Sequence, residues 1–140
     1  MTDKHALAKA AAEAMWKHDR ASKWLGLKIE DVRPGYARMS MRVTENMVNG
    51  HDLCHGGFIF TLADSTFAFA CNSHNLRAVA AGCTIEFLAP ALLGDILTAE
   101  GVEQALAGRT GVYDMRVTNQ KGDTIALFRG KSATIKGTLA

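Results

Sequence analysis

The sequence is poor in the residues that interrupt or staple a chain. Two prolines and three cysteines occur in 140 residues. With so little proline and no low-complexity stretch, a long disordered region is excluded. Cys54, Cys71 and Cys83 are an odd set, so full disulfide pairing is excluded and a reducing cytoplasm is the simplest setting. Their spacing lacks the paired clusters of a metal site, because nothing follows Cys54–His55 to complete one. Charge of one sign is missing too. Sixteen basic and 14 acidic residues leave a net charge of +2, with Lys and Arg scattered. That leaves no footprint for nucleic acid or a membrane surface. No run approaches the roughly 20 apolar residues that span a bilayer. The opening "MTDKHALAKAAAEAMWKHD" is charged throughout and lacks the apolar centre of a signal peptide. No G-x-S-x-G pattern occurs, and Ser65 has no histidine base close in sequence, so a serine triad is not indicated.

What is present suits one domain over residues 1–140, with 48% of residues hydrophobic and a sizeable core. Residues 1–25 form an N-terminal helical segment. "TDKHALAKAAAEAMWKHD" is alanine-rich, with Thr2 or Asp3 as cap and Met15 and Trp16 as anchors. "RASKWLG" adds a turn stopped by Gly26. "LKIEDVRPG" is a first strand ending in a Pro34–Gly35 turn. "YARMSMRV" alternates, with Ala37, Met39, Met41 and Val43 on one face, as a half-buried strand does. Residues 44 to 55 read as a loop, and a helix follows from about Gly56 to Asn72. It is apolar nearly all round and should be central. Four strands follow Arg77, read as a meander that curves around the helix. The expected order is 1-2-4-5-6-3, which leaves the strand near 78 to 89 as an edge to be covered by a second copy.

The central stretch, "NGHDLCHGGFIFTLADSTFAFACNSHN", poses the chemical question. Asp64 is its only charged residue between Phe58 and Cys71. A carboxylate in such company is expensive to bury, so it is neutralised, paired, or functional. Ser65, Thr66 or a backbone group could satisfy it. Gly56 and Gly57 open the helix and let a backbone or ligand come close. The first N–H groups of a helix lack internal partners and the dipole is positive there, so this end can polarise a carbonyl. Asn49 and His55 lie just upstream, although each could instead stabilise its loop or cap the helix. Asp64 follows Gly56 by eight residues, about 12 Å along a helix axis. One carbonyl cannot touch both ends of that span within one chain. A shared substrate therefore needs two chains, Gly56 from one and Asp64 from the other. Phe58, Phe60, Phe67 and Phe69 could wall an apolar ligand, with core packing as the alternative. Arg109, Lys121, Arg129 and Lys131 are candidates for phosphate contacts, and Arg129 and Lys131 share a strand face.

On "NGHDLCHGGFIFTLADSTFAFACNS", "GCTIEFLAPALLGDILTAEG" and "TGVYDMRVTNQKGDTIALFRGKS", the chain resembles the hotdog-fold thioesterases, specifically the phenylacetyl-CoA thioesterase (PaaI type) group. The resemblance covers roughly residues 20 to 136. It implies an α+β hotdog fold, a long central helix wrapped by a curved antiparallel sheet, here with an extra N-terminal helix. It implies dimers with a continuous sheet and shared sites, usually as tetramers, and hydrolysis of acyl-CoA without metal or other cofactor. By that likeness Asp64 is the catalytic acid, Gly56 the carbonyl-polarising amide, and Asn49 and His55 their polar support. The family's Ser or Thr beside the acid falls on Ser65 or Thr61, and Gly57, Phe67, Arg129 and Lys131 are this sequence's own candidates for substrate contacts, the last two for coenzyme A. Asp64 could activate water or attack the carbonyl itself. A different acyl specificity, a hotdog dehydratase using His55 with Asp64, and a non-catalytic acyl-CoA-binding protein are the alternatives.

Overall fold

The computed structural model describes residues 3–140. Helix α1 spans Lys4–His18, and the Asp3 side chain caps it by accepting from the His5 N–H at 2.9 Å. Thr2, the other expected cap, lies outside the described residues. Ala8, Ala11 and Ala12 are buried, so α1 presents a smooth alanine face to the sheet, and Met15 and Trp16 pack on the core. A short helix, α2 (Arg20–Trp24), follows Asp19, whose carboxylate caps it through the Ser22 N–H at 2.9 Å.

Six strands form one antiparallel sheet: β1 (Lys28–Arg33), β2 (Tyr36–Arg42), β3 (Ala78–Phe87), β4 (Ile96–Ala107), β5 (Thr110–Thr118) and β6 (Thr124–Thr134). Their order is β1-β2-β4-β5-β6-β3, as the sequence predicts. Gly35, at φ 70°, supplies the left-handed residue that lets β1 turn directly into β2. The predicted alternation in β2 holds, with Ala37, Met39, Met41 and Val43 all buried. The meander is a correction: of the four strands after Arg77, only β4, β5 and β6 follow one another as neighbours. β3 crosses to the far edge, where Ala78 faces Thr134 and Phe87 faces Ala126. The central helix intervenes between β2 and β3, so β3 cannot hairpin back onto the strand before it. The predicted 44 to 55 loop contains a short 3₁₀ turn, Glu45–Met47, that buries Met47.

Helix α3 runs Gly56–Cys71, and Asn72 is its C-cap rather than its last turn. It packs against all six strands. Ile59, Leu62, Ala63, Thr66, Phe67, Phe69, Ala70 and Cys71 are buried. The sheet covers most of the helix but not its whole girth. Gly57, Thr61, Asp64 and Ala68, spaced four, three and four apart, form a stripe that stays at least partly open. Phe67 shows how tight the covered side is. Its ring lies 5.7 Å from that of Tyr113 and 5.8 Å from that of Phe128. A Cβ on Gly130 would meet three Phe67 ring atoms at 2.8 Å each.

That contact makes a stability prediction. Gly130→Ala should overpack the core and cost about 1–3 kcal/mol, seen as a lower urea midpoint with the fold retained.

Candidate functional site

The start of α3 is held by the segment before it. Val48 bridges to Cys54 and Leu53 to Leu92, while the Cys54 N–H donates to Ala91 O and the His55 N–H to Met47 O, both at 2.8 Å. These contacts fix the 48–55 loop against the 88–95 segment and aim the first turn of α3 outward. No backbone acceptor takes the Gly56 or Gly57 N–H among the described residues. Both donors therefore point out of the helix end with the positive end of the dipole behind them. A cleft of about 580 Å³ opens there, lined by Asn49, Leu53, Cys54, Gly56, Ile59 and the Phe87–Ala91 segment.

The other predicted residues at this end divide. His55 is the N-cap, exposed, with no side-chain capping bond. Asn49 organises its own loop: Oδ1 accepts from the His51 N–H at 2.9 Å and the Leu53 N–H at 3.2 Å. The side-chain amide donors of Asn49 are not used in those bonds. Cys54 is half-buried, and burial pushes its thiol up to about 11, which keeps it protonated and unreactive at neutral pH. The Cys71 thiol is likewise pushed up to about 12, first by burial.

Asp64 stands apart from that cleft, two turns along α3. It is half-buried, and burial alone accounts for its raised pKa; no hydrogen bond or charged neighbour contributes. The neighbours that might have satisfied it are engaged elsewhere. Ser65 Oγ meets Ser22 Oγ at 3.1 Å, and Ser22 in turn donates to Asp19 at 2.7 Å. Thr66 Oγ1 donates back to Leu62 O at 2.8 Å. Thr61 Oγ1 does the same to Gly57 O at 2.9 Å. Beside Asp64 lies Cys83 of β3, whose thiol is raised by burial and then by the Asp64 charge. Among the described residues Asp64 is thus left half-buried without a hydrogen-bond partner.

Several predicted roles change. Phe67 is 1% exposed and Phe69 equally hidden, so both are core and neither walls a substrate. The helix is apolar on every side, so periodicity could not say which phenylalanines face inward. Ser65 ties α3 to the N-terminal helices. Arg129 sits on the outer sheet face in a two-pronged pair with Asp114, at 2.6 and 2.8 Å. That pair holds the Asp114 carboxyl below the usual range. Lys131 is exposed on the same face.

Two features escaped the sequence reading. One is the apolar side of the cleft, where Phe87 and Leu88 remain exposed just ahead of Pro90. An apolar pair at a strand end before a proline was the available signal. The other is a polar cluster at the far end of α3. Glu103 Oε1 accepts from Tyr113 OH at 2.8 Å and meets His74 Nε2 at 2.7 Å. These three residues lie on different elements, and nothing in the sequence links them. Among the described residues no group of three or more His, Cys, Asp and Glu is placed to hold a metal ion. No described helix is long and apolar enough to cross a membrane.

The sequence profile of the thioesterase superfamily matches residues 51–126. The chain is 50% identical over 128 residues to acyl-coenzyme A thioesterase PaaI of Escherichia coli (strain K12), covering 91% of each chain. The solved structure of the E. coli PaaI protein from the phenylacetic acid degradation operon superimposes with a TM-score of 0.95 at 48% identity, covering 97% of this chain and 99% of that one. A hypothetical thioesterase protein with coenzyme A from Streptococcus pneumoniae TIGR4 matches at 26% identity and a TM-score of 0.76, covering 84% of this chain and 98% of that one.

The unpartnered acid carries a signature in stability. A carboxyl whose pKa is higher in the folded than in the unfolded chain binds its proton more tightly in the fold, so its ionisation opposes folding. The penalty is absent below the unfolded value, about 3.9, and is complete once pH has risen through the raised folded value. Asp64→Asn should therefore raise the urea midpoint at pH 7 and leave it nearly unchanged at about pH 3.

Proposed function

This chain belongs to the thioesterase superfamily and is a thioester hydrolase, and we propose that it cleaves acyl-CoA thioesters of the phenylacetyl-CoA type, ring-hydroxylated ones included, to free acid and coenzyme A. The observation that carries the reading is the pairing of two unused N–H donors at the Gly56–Gly57 helix start with an unpartnered acid on the open stripe of the same helix. The coenzyme A found with the S. pneumoniae structure supports the substrate class. A role in phenylacetate catabolism follows from the E. coli relative.

In this reading the thioester carbonyl oxygen lies on the Gly56 N–H, where the helix end stabilises negative charge. Asp64 of a second chain faces the carbonyl carbon and takes a proton from a water molecule as that water attacks. The raised pKa makes its carboxylate a stronger base than an exposed one. The tetrahedral oxyanion then collapses, the C–S bond breaks, and the proton held on Asp64 passes to the departing thiolate. His55 and the free Asn49 amide support the carbonyl end, while Gly57 leaves space for the ligand. Thr61 lines the open stripe between the two ends. Lys131, unlike the paired Arg129, is available to a phosphate. No metal or other cofactor is needed.

A dimer joined through β3 brings the two ends together. β3 is the bare edge of the sheet, and Val79 on it is about half exposed. A twofold axis at that edge runs the two α3 helices antiparallel and sets Gly56 of one chain near Asp64 of the other. The same reading makes residues 1–140 one domain of a cytoplasmic homotetramer assembled from such dimers. The three free cysteines fit that compartment.

Two experiments test this. Thiol release from phenylacetyl-CoA should fall on the order of 10²-fold or more in kcat for Asp64→Asn, with KM changed far less; near-normal turnover in the folded variant would remove Asp64 from the chemistry. Complementation tests the shared site. Gly56→Pro deletes the N–H and also drives a Cβ into the Phe87 ring, so it disables that end twice over. Mixed with Asp64→Ala and co-refolded in equal amounts, it should recover about a quarter of wild-type activity through random pairing, once light scattering shows that both variants still dimerise. Activity that stays at the level of the parents would place both residues in one chain's site.

A further inference from the structure

The cleft at the start of α3 has a wall to which no role has yet been given. Phe87 closes β3, paired with Ala126, and its ring turns over the first residue of the helix. A Cβ built on Gly56 would lie 2.9 Å from the ring Cζ and 3.2 and 3.3 Å from the two Cε atoms. The tip of the ring therefore rests on the Gly56 Cα. Backbone conformation does not demand glycine here, because Gly56 opens a regular helix and is not among the positive-φ glycines. The ring tip is the neighbour that any side chain at this position would displace. Gly57 is the opposite case, with open space around its Cα. The two adjacent glycines thus differ: only Gly56 has a neighbouring ring against its Cα.

The ring is not spent on that contact. Phe87 stays 50% exposed and the adjacent Leu88 58% exposed, both bordering the same cleft. An aromatic face left open beside two free N–H donors is apolar area waiting for an apolar group. We infer that Phe87 is the wall that selects the acyl group and positions its carbonyl on the Gly56 N–H. The inference rests on the acyl-CoA reading above. With the carbonyl oxygen on that N–H, the acyl chain must leave the carbonyl carbon past the ring that covers the neighbouring Cα. An arylacetyl group can pack edge-to-face or offset against the ring, which adds to its simple burial. An acetyl group has no ring to offer and gains little. Phe87 acts on specificity through this contact and on rate through Gly56, whose close approach it fixes.

The test compares kcat and KM for phenylacetyl-CoA and acetyl-CoA in the wild type, Phe87→Ala, Phe87→Leu, Phe87→Tyr, Gly56→Ala and the double variant Gly56→Ala/Phe87→Ala. Removing the ring, by Ala or Leu, should lower the phenylacetyl-to-acetyl ratio of kcat/KM about tenfold, mainly through KM for the aryl substrate. Phe87→Tyr should keep the ratio. Gly56→Ala retains the N–H but pushes a methyl into the ring, so kcat should fall for both substrates. Adding Phe87→Ala should give back a good part of that kcat, a rescue that general destabilisation would not produce. An unchanged ratio in both ring-less variants, or a double variant no better than Gly56→Ala, overturns the role of Phe87 while leaving the thioesterase reading intact. A wild type that releases thiol from neither substrate overturns that reading, and this inference with it.

Discussion

A helix that is apolar nearly all round needs more cover than one sheet can give. α3 rests on all six strands, yet the stripe from Gly57 through Thr61 and Asp64 to Ala68 is left at least partly open. Burying the rest supplies the core: Leu62, Phe67 and Phe69 alone contribute about 1.5–3 kcal/mol each. Leaving the stripe uncovered puts the one charged residue of the helix where solvent or a ligand can reach it. Had the sheet closed fully, Asp64 would have needed a buried partner, and none of its neighbours is free to be one. The incomplete wrap and the acid are thus one solution seen from two sides.

The same helix holds apart the two groups that the proposed reaction joins. Its N-terminus offers hydrogen-bond donors and a positive dipole end; its middle carries a half-buried carboxylate with a raised pKa. Rigid helical spacing keeps them about 12 Å apart, and no local flexing can close that gap. The loop before α3 is pinned at both strands of its path, by Val48–Cys54 and Leu53–Leu92, so the donor end is preorganised. Electrostatic stabilisation of an oxyanion depends on such fixed donors, because donors that must reorient during reaction lose much of their effect. At the other end of α3 the Glu103 carboxylate gathers Tyr113 and His74. Ser73 adds its own tie, accepting from the Gly35 N–H at 2.7 Å. Helix ends anchored this firmly leave the middle of α3 little freedom to shift.

Most of the fold was legible because its signals are local. The alternation of Ala37, Met39, Met41 and Val43 marks β2, and Gly35 marks the turn that leads into it. The start of α3 and the odd acid at position 64 could be read directly. Legibility failed where the deciding contact joins distant segments. Phe60, Phe67 and Phe69 look alike on an all-apolar helix, and only the position of Gly130 and Tyr113 makes Phe67 core. Ser65 looked like a candidate for substrate until Ser22, 43 residues away, claimed its hydroxyl. Arg129 looked free until Asp114 on the adjacent strand paired with it. The ring of Phe87 over Gly56 joins positions whose relation only the folded sheet sets.

The placement of β3 bears on how this chain is made. Its one partner within the chain is β6, so Phe87 waits for Ala126 and Ala78 for Thr134. During synthesis roughly forty further residues must emerge before that pairing can begin. Throughout that interval β3 is unpaired along both edges, not one, with the exposed Val79, Phe87 and Leu88 on offer to any other extended chain. The hairpins β4–β5 and β5–β6 need no such wait and give the growing chain a local platform. Vectorial folding here runs from that late platform back to an earlier strand. The ribosome-bound chain is therefore most exposed to misassociation just before its last strand appears.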